Sequence, residues 1–364
     1  MKTKFRAALI SVAFLGGSMV TGAAYSACPP VQDVVEGPIS NLLKANGISG
    51  PDDANAYYAL IDPDGQRCTQ AEWEAVNGFN DPVNQKVVVA GHQNISDLGF
   101  WRRLEMVIDK RAGKAGNVAF TTFNFANEVD AYMNQNPLSI VNMEYSPVRP
   151  GEAPITKFYI YGADGTRKIK TIFDPNTAKA ENLYLPNACS SCHGGGKDFR
   201  ANGGKTDGGF LAFDFKVFKY GSLTTQADNE PGVKELNKGV LMTKPPSAVK
   251  NLVSGLYGGK GLPSPTQVST YMPSDWAGAA DPIKKVWKEV IVTDCLGCHT
   301  LSEQEVLTLS FWKDNVTGDL REVFKKKIMP NSPYANGRFF KTDTTQLPND
   351  HLETVKNAFP GAFK

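Results

Sequence analysis

The chain lacks the residue sets that announce several large function classes. It holds no Ser-His-Asp set, no phosphate-binding glycine loop and no metalloprotease motif, so nothing in it points to hydrolytic or nucleotide-driven chemistry. It also lacks a charge excess. The first residues, with Lys2, Lys4 and Arg6 ahead of an apolar run from Ala7 to about Val20 and small residues near Ala24-Tyr25-Ser26, have the layout of a cleavable signal peptide over 1–26. Their removal turns 39 basic against 37 acidic residues into 36 against 37, a net charge of −1, which gives no reason to expect nucleic acid or an anionic membrane as partner. After residue 26 there is no apolar run long enough to span a bilayer. The expectation is therefore a periplasmic or otherwise exported protein. Tyr25-Ser26-Ala27-Cys28 only half resembles a lipoprotein box, because Tyr25 stands where a Leu-like residue is wanted.

Histidine and cysteine are scarce, at four and six residues, yet they are not scattered. Two histidines and four cysteines form Cys189-Ser190-Ser191-Cys192-His193 and Cys295-Leu296-Gly297-Cys298-His299. In a C-x-x-C-H run the two sulfurs can form thioethers with the two vinyl groups of one haem while the adjacent imidazole ligates its iron. A zinc reading would need both cysteine pairs in one site, but about a hundred residues separate them, against ~15–20 in a compact ribbon. The motifs closely resemble those of c-type cytochromes. The resemblance covers roughly residues 181–364 and implies two covalently attached haem c groups, bound by Cys189, Cys192, His193, Cys295, Cys298 and His299. The two remaining cysteines, Cys28 and Cys68, are the natural disulfide pair of an exported protein.

At 364 residues the chain exceeds the usual single-core limit. The reading is an α+β N-terminal domain over 27–180, then a mainly α, cytochrome c-like di-haem region divided into 181–280 for haem 1 and 281–364 for haem 2. In the first part, short helices are expected at Asn55–Leu60 and Gln70–Val76, the second opened by the capping-box spacing Thr69-x-x-Glu72. Asp62-Pro63-Asp64-Gly65 lies between them and reads as a plain turn rather than a calcium loop. Strands are expected at Val87–Ala90, Val118–Phe125 and Ile140–Tyr145, with a hairpin from Thr156–Tyr161 to Lys168–Phe173. His92, just after the first strand, is either a loop histidine or a second axial ligand. Met106 is a weaker ligand candidate and reads as core.

Beyond residue 181, Gly194-Gly195-Gly196 and further glycines suit backbone running close to a flat cofactor. A helix over Ser247–Tyr257 stops at Gly258-Gly259, and Tyr271-Met272-Pro273 follows in an order similar to that of small c-type cytochromes. Met272 is thus the expected distal iron ligand of haem 1. Asp281-Pro282 opens a helix whose stripe Ile283, Val286, Trp287, Val290 and Ile291 runs up to the second motif. After Ser302-x-x-Glu305, Ile328-Met329-Pro330 offers Met329 as distal ligand of haem 2, and a last helix opens at Asp350 with His351 at its exposed start. Lys284, Lys285, Lys288, Arg321 and Lys325–Lys327 bracket this motif and could steer an acidic redox partner.

Three functions compete. The first is one-electron transfer between redox partners, with Met272 and Met329 closing both irons. The second is a peroxidase- or oxygenase-type enzyme whose haem 1 is open or held by a displaceable ligand such as His92. Bacterial di-haem cytochrome c peroxidases are remotely similar, being exported and carrying two such motifs, but their first motif lies near the mature N-terminus, whereas here it begins at Cys189. The third is a haem-based sensor or docking subunit.

Overall fold

Residues rich in β-branching and aromatic rings, such as Val87-Val88-Val89 and Phe158-Tyr159-Ile160-Tyr161, favour the half-buried surface of a sheet. A computed structural model describes residues 28–31, 50–96, 98–172, 182–195, 199–301, 307–326, 339–340 and 351–361. Two helices come first, α1 (Pro51–Ile61) and α2 (Gln70–Val76). The expected capping box is present: Thr69 Oγ1 accepts from Glu72 N at 3.2 Å, and the Glu72 carboxylate accepts from Thr69 N at 2.9 Å. Strands β1 (Lys86–Asn94), β2 (Trp101–Ile108), β3 (Val118–Phe125), β4 (Ser139–Ser146), β5 (Ile155–Gly162) and β6 (Arg167–Lys168) then form an antiparallel meander, with helix α3 (Glu128–Met133) between β3 and β4.

β2 was not foreseen. Glu105 interrupts its apolar pattern, yet that carboxylate is buried because Lys86 and Arg103 pair with it at 2.9 and 2.6 Å. The expected hairpin after β5 is shorter than its sequence pattern: only Arg167 and Lys168 pair back on β5, and β7 (Lys170–Ile172) pairs instead with β8 (Asn182–Tyr184). Helix α4 (Asn187–His193) carries the first motif. The chain then returns as β9 (Phe218–Tyr220), which adds to β1 and completes a seven-stranded sheet ordered β6-β5-β4-β3-β2-β1-β9.

The remainder is helical: α5 (Gln226–Met242), α6 (Ser247–Leu256), α7 (Ser274–Ala277), α8 (Asp281–Val286), α9 (Leu296–His299), α10 (Leu309–Asn315), α11 (Asp319–Lys325) and α12 (His351–Ala358). A sheet-rich first half and a helical second half agree with the α+β expectation. α5 is hidden in the sequence by Pro231, Gly232 and Gly239, which read as loop residues. Its glycines are needed for contact with the sheet, since a Cβ at Gly239 would stand 2.2 Å from Met106 Sδ and one at Gly232 2.7 Å from Val89 Cγ2. Met106 is thereby a packing residue under α5.

The helix expected to run unbroken from Asp281 changes its winding. Ala280, not Asp281, is the N-cap, and from Trp287 to Cys295 the turns widen to the π type, with Leu296 N–H bonded to Ile291 O. The wider turn keeps Val290 and Ile291 buried and adds Val292 and Asp294 to the buried set just before the second motif.

The two faces of the sheet are built differently. On one, α2 covers a polar layer: Gln70 bonds Thr121 at 3.4 Å and Asn142 at 2.7 Å, and Asn77 bonds Glu144 at 2.8 Å. Glu144 and its cross-strand neighbour Lys157, both fully buried, pair at 3.0 Å, and Arg67 reaches Glu144 at 3.0 Å. Asp62 is held by the backbone N–H groups of Gln66 and Arg67 and by Arg67 and Arg167, so the 62–65 segment is a pinned turn. A disulfide joins Cys28 to Cys68 beside it. The other face is apolar at its centre, where Leu104, Thr122, Val141 and Ile160 stand in one cross-strand row.

Candidate functional site

Residues of that face line a cavity of about 990 Å³, which all six residues of the two motif sets also line. The volume lies at the upper end of the roughly 300–1,000 Å³ typical of cofactor pockets. α4 and α9 bring the motifs together: Cys192 Sγ and Cys298 Sγ are 3.5 Å apart, across 106 residues of chain. Phe210, Phe213, Phe218 and Phe324 supply aromatic wall.

Local structure sets the donors. His193 ends α4, and its Nδ1–H donates to the carbonyl of Gly209 at 2.9 Å. A carbonyl can only accept, so in the neutral ring Nε2 is left carrying the lone pair. The backbone around it is tight: a Cβ on Gly195 would fall 1.6 Å from Thr206 O, and Gly194 and Gly195 both have positive φ, 73° and 78°. Burial, with Cys192 adding, pushes the Cys189 thiol up to about 12, so it is a neutral thiol at neutral pH. Among the described residues no group of three or more His, Cys, Asp or Glu side chains is arranged to hold a bare metal ion.

His92 also faces this cavity, and it is fully buried. Neither of its ring nitrogens has a hydrogen-bond partner. Burial, with Arg102 adding, lowers its imidazole to about 3, so it is neutral. A chain of polar residues runs beside it in register across the strands: His92, Arg102, Asn124 and Ser139. Arg102 Nε donates to Asn124 Oδ1 and Asn124 Nδ2 to Ser139 Oγ, both at 3.2 Å.

The other sequence candidates fall elsewhere. Met272 packs against the hydrophobic core and does not line the cavity, and Met329 lies outside the described residues. His351, expected at an exposed helix start, is buried: its Nδ1–H is bonded to Asp294, the residue before Cys295. The sequence hid this because Asp294 pairs with His351 across 57 residues. Lys285, Lys288, Lys325 and Lys326 are exposed, Lys284 and Arg321 are half-buried, and Lys327 lies outside the described residues. Sequence reasoning passed over Arg102, Asn124 and Ser139, which only strand register aligns.

No protein-family model, curated protein or solved structure matches this chain.

Proposed function

We propose that this chain is an exported di-haem c-type cytochrome that passes single electrons between redox partners. The observation that carries the reading is the meeting of both C-x-x-C-H motifs on one cavity, with sulfurs of the two motifs 3.5 Å apart. The residues present fit the group. Cys189 and Cys192 with His193, and Cys295 and Cys298 with His299, would each hold one haem. The bond from His193 Nδ1 to Gly209 leaves the lone pair on the nitrogen that a proximal ligand uses. Aromatic and aliphatic side chains supply much of the wall, and the neutral His92, with neither nitrogen hydrogen-bonded, has a reason to be buried if a ligand-binding centre sits beside it. Bound haem supplies a reversible one-electron couple whose potential the protein sets through axial ligands and burial. Exposed Lys285, Lys288 and Lys325, which bracket the second motif in sequence, suit an acidic partner.

The test is expression of the full chain in a host that attaches haem c in its periplasm, followed by intact mass and a haem-to-protein ratio. Two covalent haems per chain, lost one at a time in Cys189→Ala/Cys192→Ala and Cys295→Ala/Cys298→Ala, are expected. A haem-free chain with thiols oxidised or holding zinc refutes the proposal.

One observation favours a second reading, a peroxidase- or oxygenase-type enzyme. Arg102, Asn124 and Ser139 place a fixed cation and donors on the cavity face, where they would bind a polar oxidant. Hydrogen peroxide turnover by the two-haem protein, lost in Arg102→Leu, would favour it over the carrier.

A further inference from the structure

We propose that His92, reaching in from the N-terminal sheet, is the distal iron ligand of the haem on the second motif, Cys295–His299. The inference rests on the di-haem reading above and goes beyond it by naming the ligand and the haem it serves.

A buried imidazole normally satisfies both nitrogens, and leaving a buried polar group unmet costs roughly 1–3 kcal/mol. His92 is 0% exposed with neither nitrogen bonded, although hydrogen-bonding side chains stand next to it in the row. Arg102 bonds Asn124, and Asn124 bonds Ser139, leaving the ring out. The backbone turns this residue inward. A bulge at Ala90/His92 inserts Gly91 with φ 73°, so that His92 and Val89 share one face where regular alternation would set them apart. A side chain at Gly91 would meet Thr224 Oγ1 at 2.8 Å, and that hydroxyl bonds Gly91 O at 2.8 Å, which locks the bulge. Phe218 stacks on the imidazole at 4.2 Å and fixes its plane. The result is a neutral, oriented nitrogen ligand aimed into a cavity lined by both motifs.

Position on the sheet selects the haem. The His193 ring lies 5.8 Å from Phe158 on β5. His92 is on β1, four strands away, which is roughly 19 Å at ~4.7–4.9 Å per strand, too far for both to ligate one iron. The second motif is on the β1 side: a Cβ at Gly297 would stand 3.4 Å from Ser96 Oγ, just past the end of β1. The sequence expectation gave that haem Met329; the sheet supplies an imidazole in its place.

The experiment compares the haem-loaded full chain with His92→Gly, His92→Met and Met329→Ala by low-temperature EPR, near-infrared magnetic circular dichroism and carbon monoxide titration. Intact mass on the same samples shows whether two haems are present, so failure of the di-haem reading is recognised separately. The wild type should show a bis-imidazole haem. His92→Gly should turn one haem high-spin and able to take up stoichiometric carbon monoxide, with exogenous imidazole reversing both changes. His92→Met should keep that iron low-spin with a thioether signature and a raised potential. These effects should persist in a Cys189→Ala/Cys192→Ala background, which keeps only the second haem. Unchanged EPR and gas binding in a two-haem His92→Gly protein overturn the proposal, as does loss of the effect in the single-haem background. So does a Met329→Ala protein that opens the second iron while His92→Gly leaves it closed.

Discussion

The two faces of the sheet handle buried polarity in opposite ways. On the α2 face each buried charge has a counter-charge: Glu144 meets Lys157 and Arg67, and Asp62 meets Arg67 and Arg167. On the cavity face a buried imidazole meets no hydrogen-bond partner. Both faces share the same strands, so composition alone does not explain the difference. Paired charges fix one packing of their element, whereas His92 is an uncharged ring held in place by a glycine bulge and an aromatic stack with both nitrogens unbonded. The first face is therefore read as structural and the second as functional.

The largest effect should come from breaking the structural face. Glu144→Ala would leave Lys157 and Arg67 buried without their carboxylate, a change that typically costs 3–5 kcal/mol, about the scale of a domain's whole stability. Burial alone would raise the Glu144 carboxyl, but the Arg67 guanidinium and Lys157 ammonium outweigh it and hold it well below the usual carboxylate range. Lys157 is itself lowered, by burial first, because it shares its one carboxylate with Arg67. The sign for pH follows. A carboxyl depressed in the fold contributes stability above its unfolded value of ~4.3, and that stability is lost as pH falls below it. Urea midpoints should drop between about pH 5 and about pH 3, and less steeply in Glu144→Gln. A Glu144→Ala protein as stable as wild type would mean that this face does not hold the fold, and the contrast with the cavity face would lapse.

The next effect is the disulfide on the same side of the molecule. Cys28 and Cys68 close a loop of 40 residues, for which the chain-entropy model gives roughly 3–4 kcal/mol. Cys28→Ser/Cys68→Ser should lower the urea midpoint accordingly while leaving haem content and EPR unchanged. A changed haem spectrum would show that the two faces are coupled and that the division drawn between them is too sharp.

How much of this could be read from the sequence depended on how local the cause was. Thr69 and Glu72 cap α2 through contacts three residues apart, so the helix was placed to the residue; β3 was placed equally well by its run of β-branched and aromatic residues. The motifs were plain because each is local, two cysteines three positions apart with a histidine directly after. β2 and α5 were missed because their decisive partners are distant: Lys86 makes Glu105 tolerable inside a strand, and Met106 makes Gly239 necessary inside a helix. The His92-Arg102-Asn124-Ser139 row exists only through register between four strands, with a one-residue bulge deciding which way His92 points. The sequence set His92, a loop residue or ligand, apart from His351, an exposed helix start; the structure buries both and separates them by their partners. Both are buried, but His351 has a carboxylate and His92 has no hydrogen-bond partner.

That pair of histidines gives the smallest and most discriminating prediction. His351 opens α12 and donates to Asp294 in the π-wound segment ahead of Cys295, so the bond ties the last helix to the second motif. Asp294→Asn keeps an acceptor oxygen but exchanges a charge-assisted bond for a neutral one, a loss of about 1 kcal/mol. Hydrogen exchange over 351–358 should quicken several-fold while the EPR signals of the haem-loaded protein proposed above stay unchanged, since His351 is given a structural role and His92 the ligating one. Conversion of one haem to high spin in Asp294→Asn, with none in His92→Gly, would exchange those roles and make the paired histidine the one that reports on the iron.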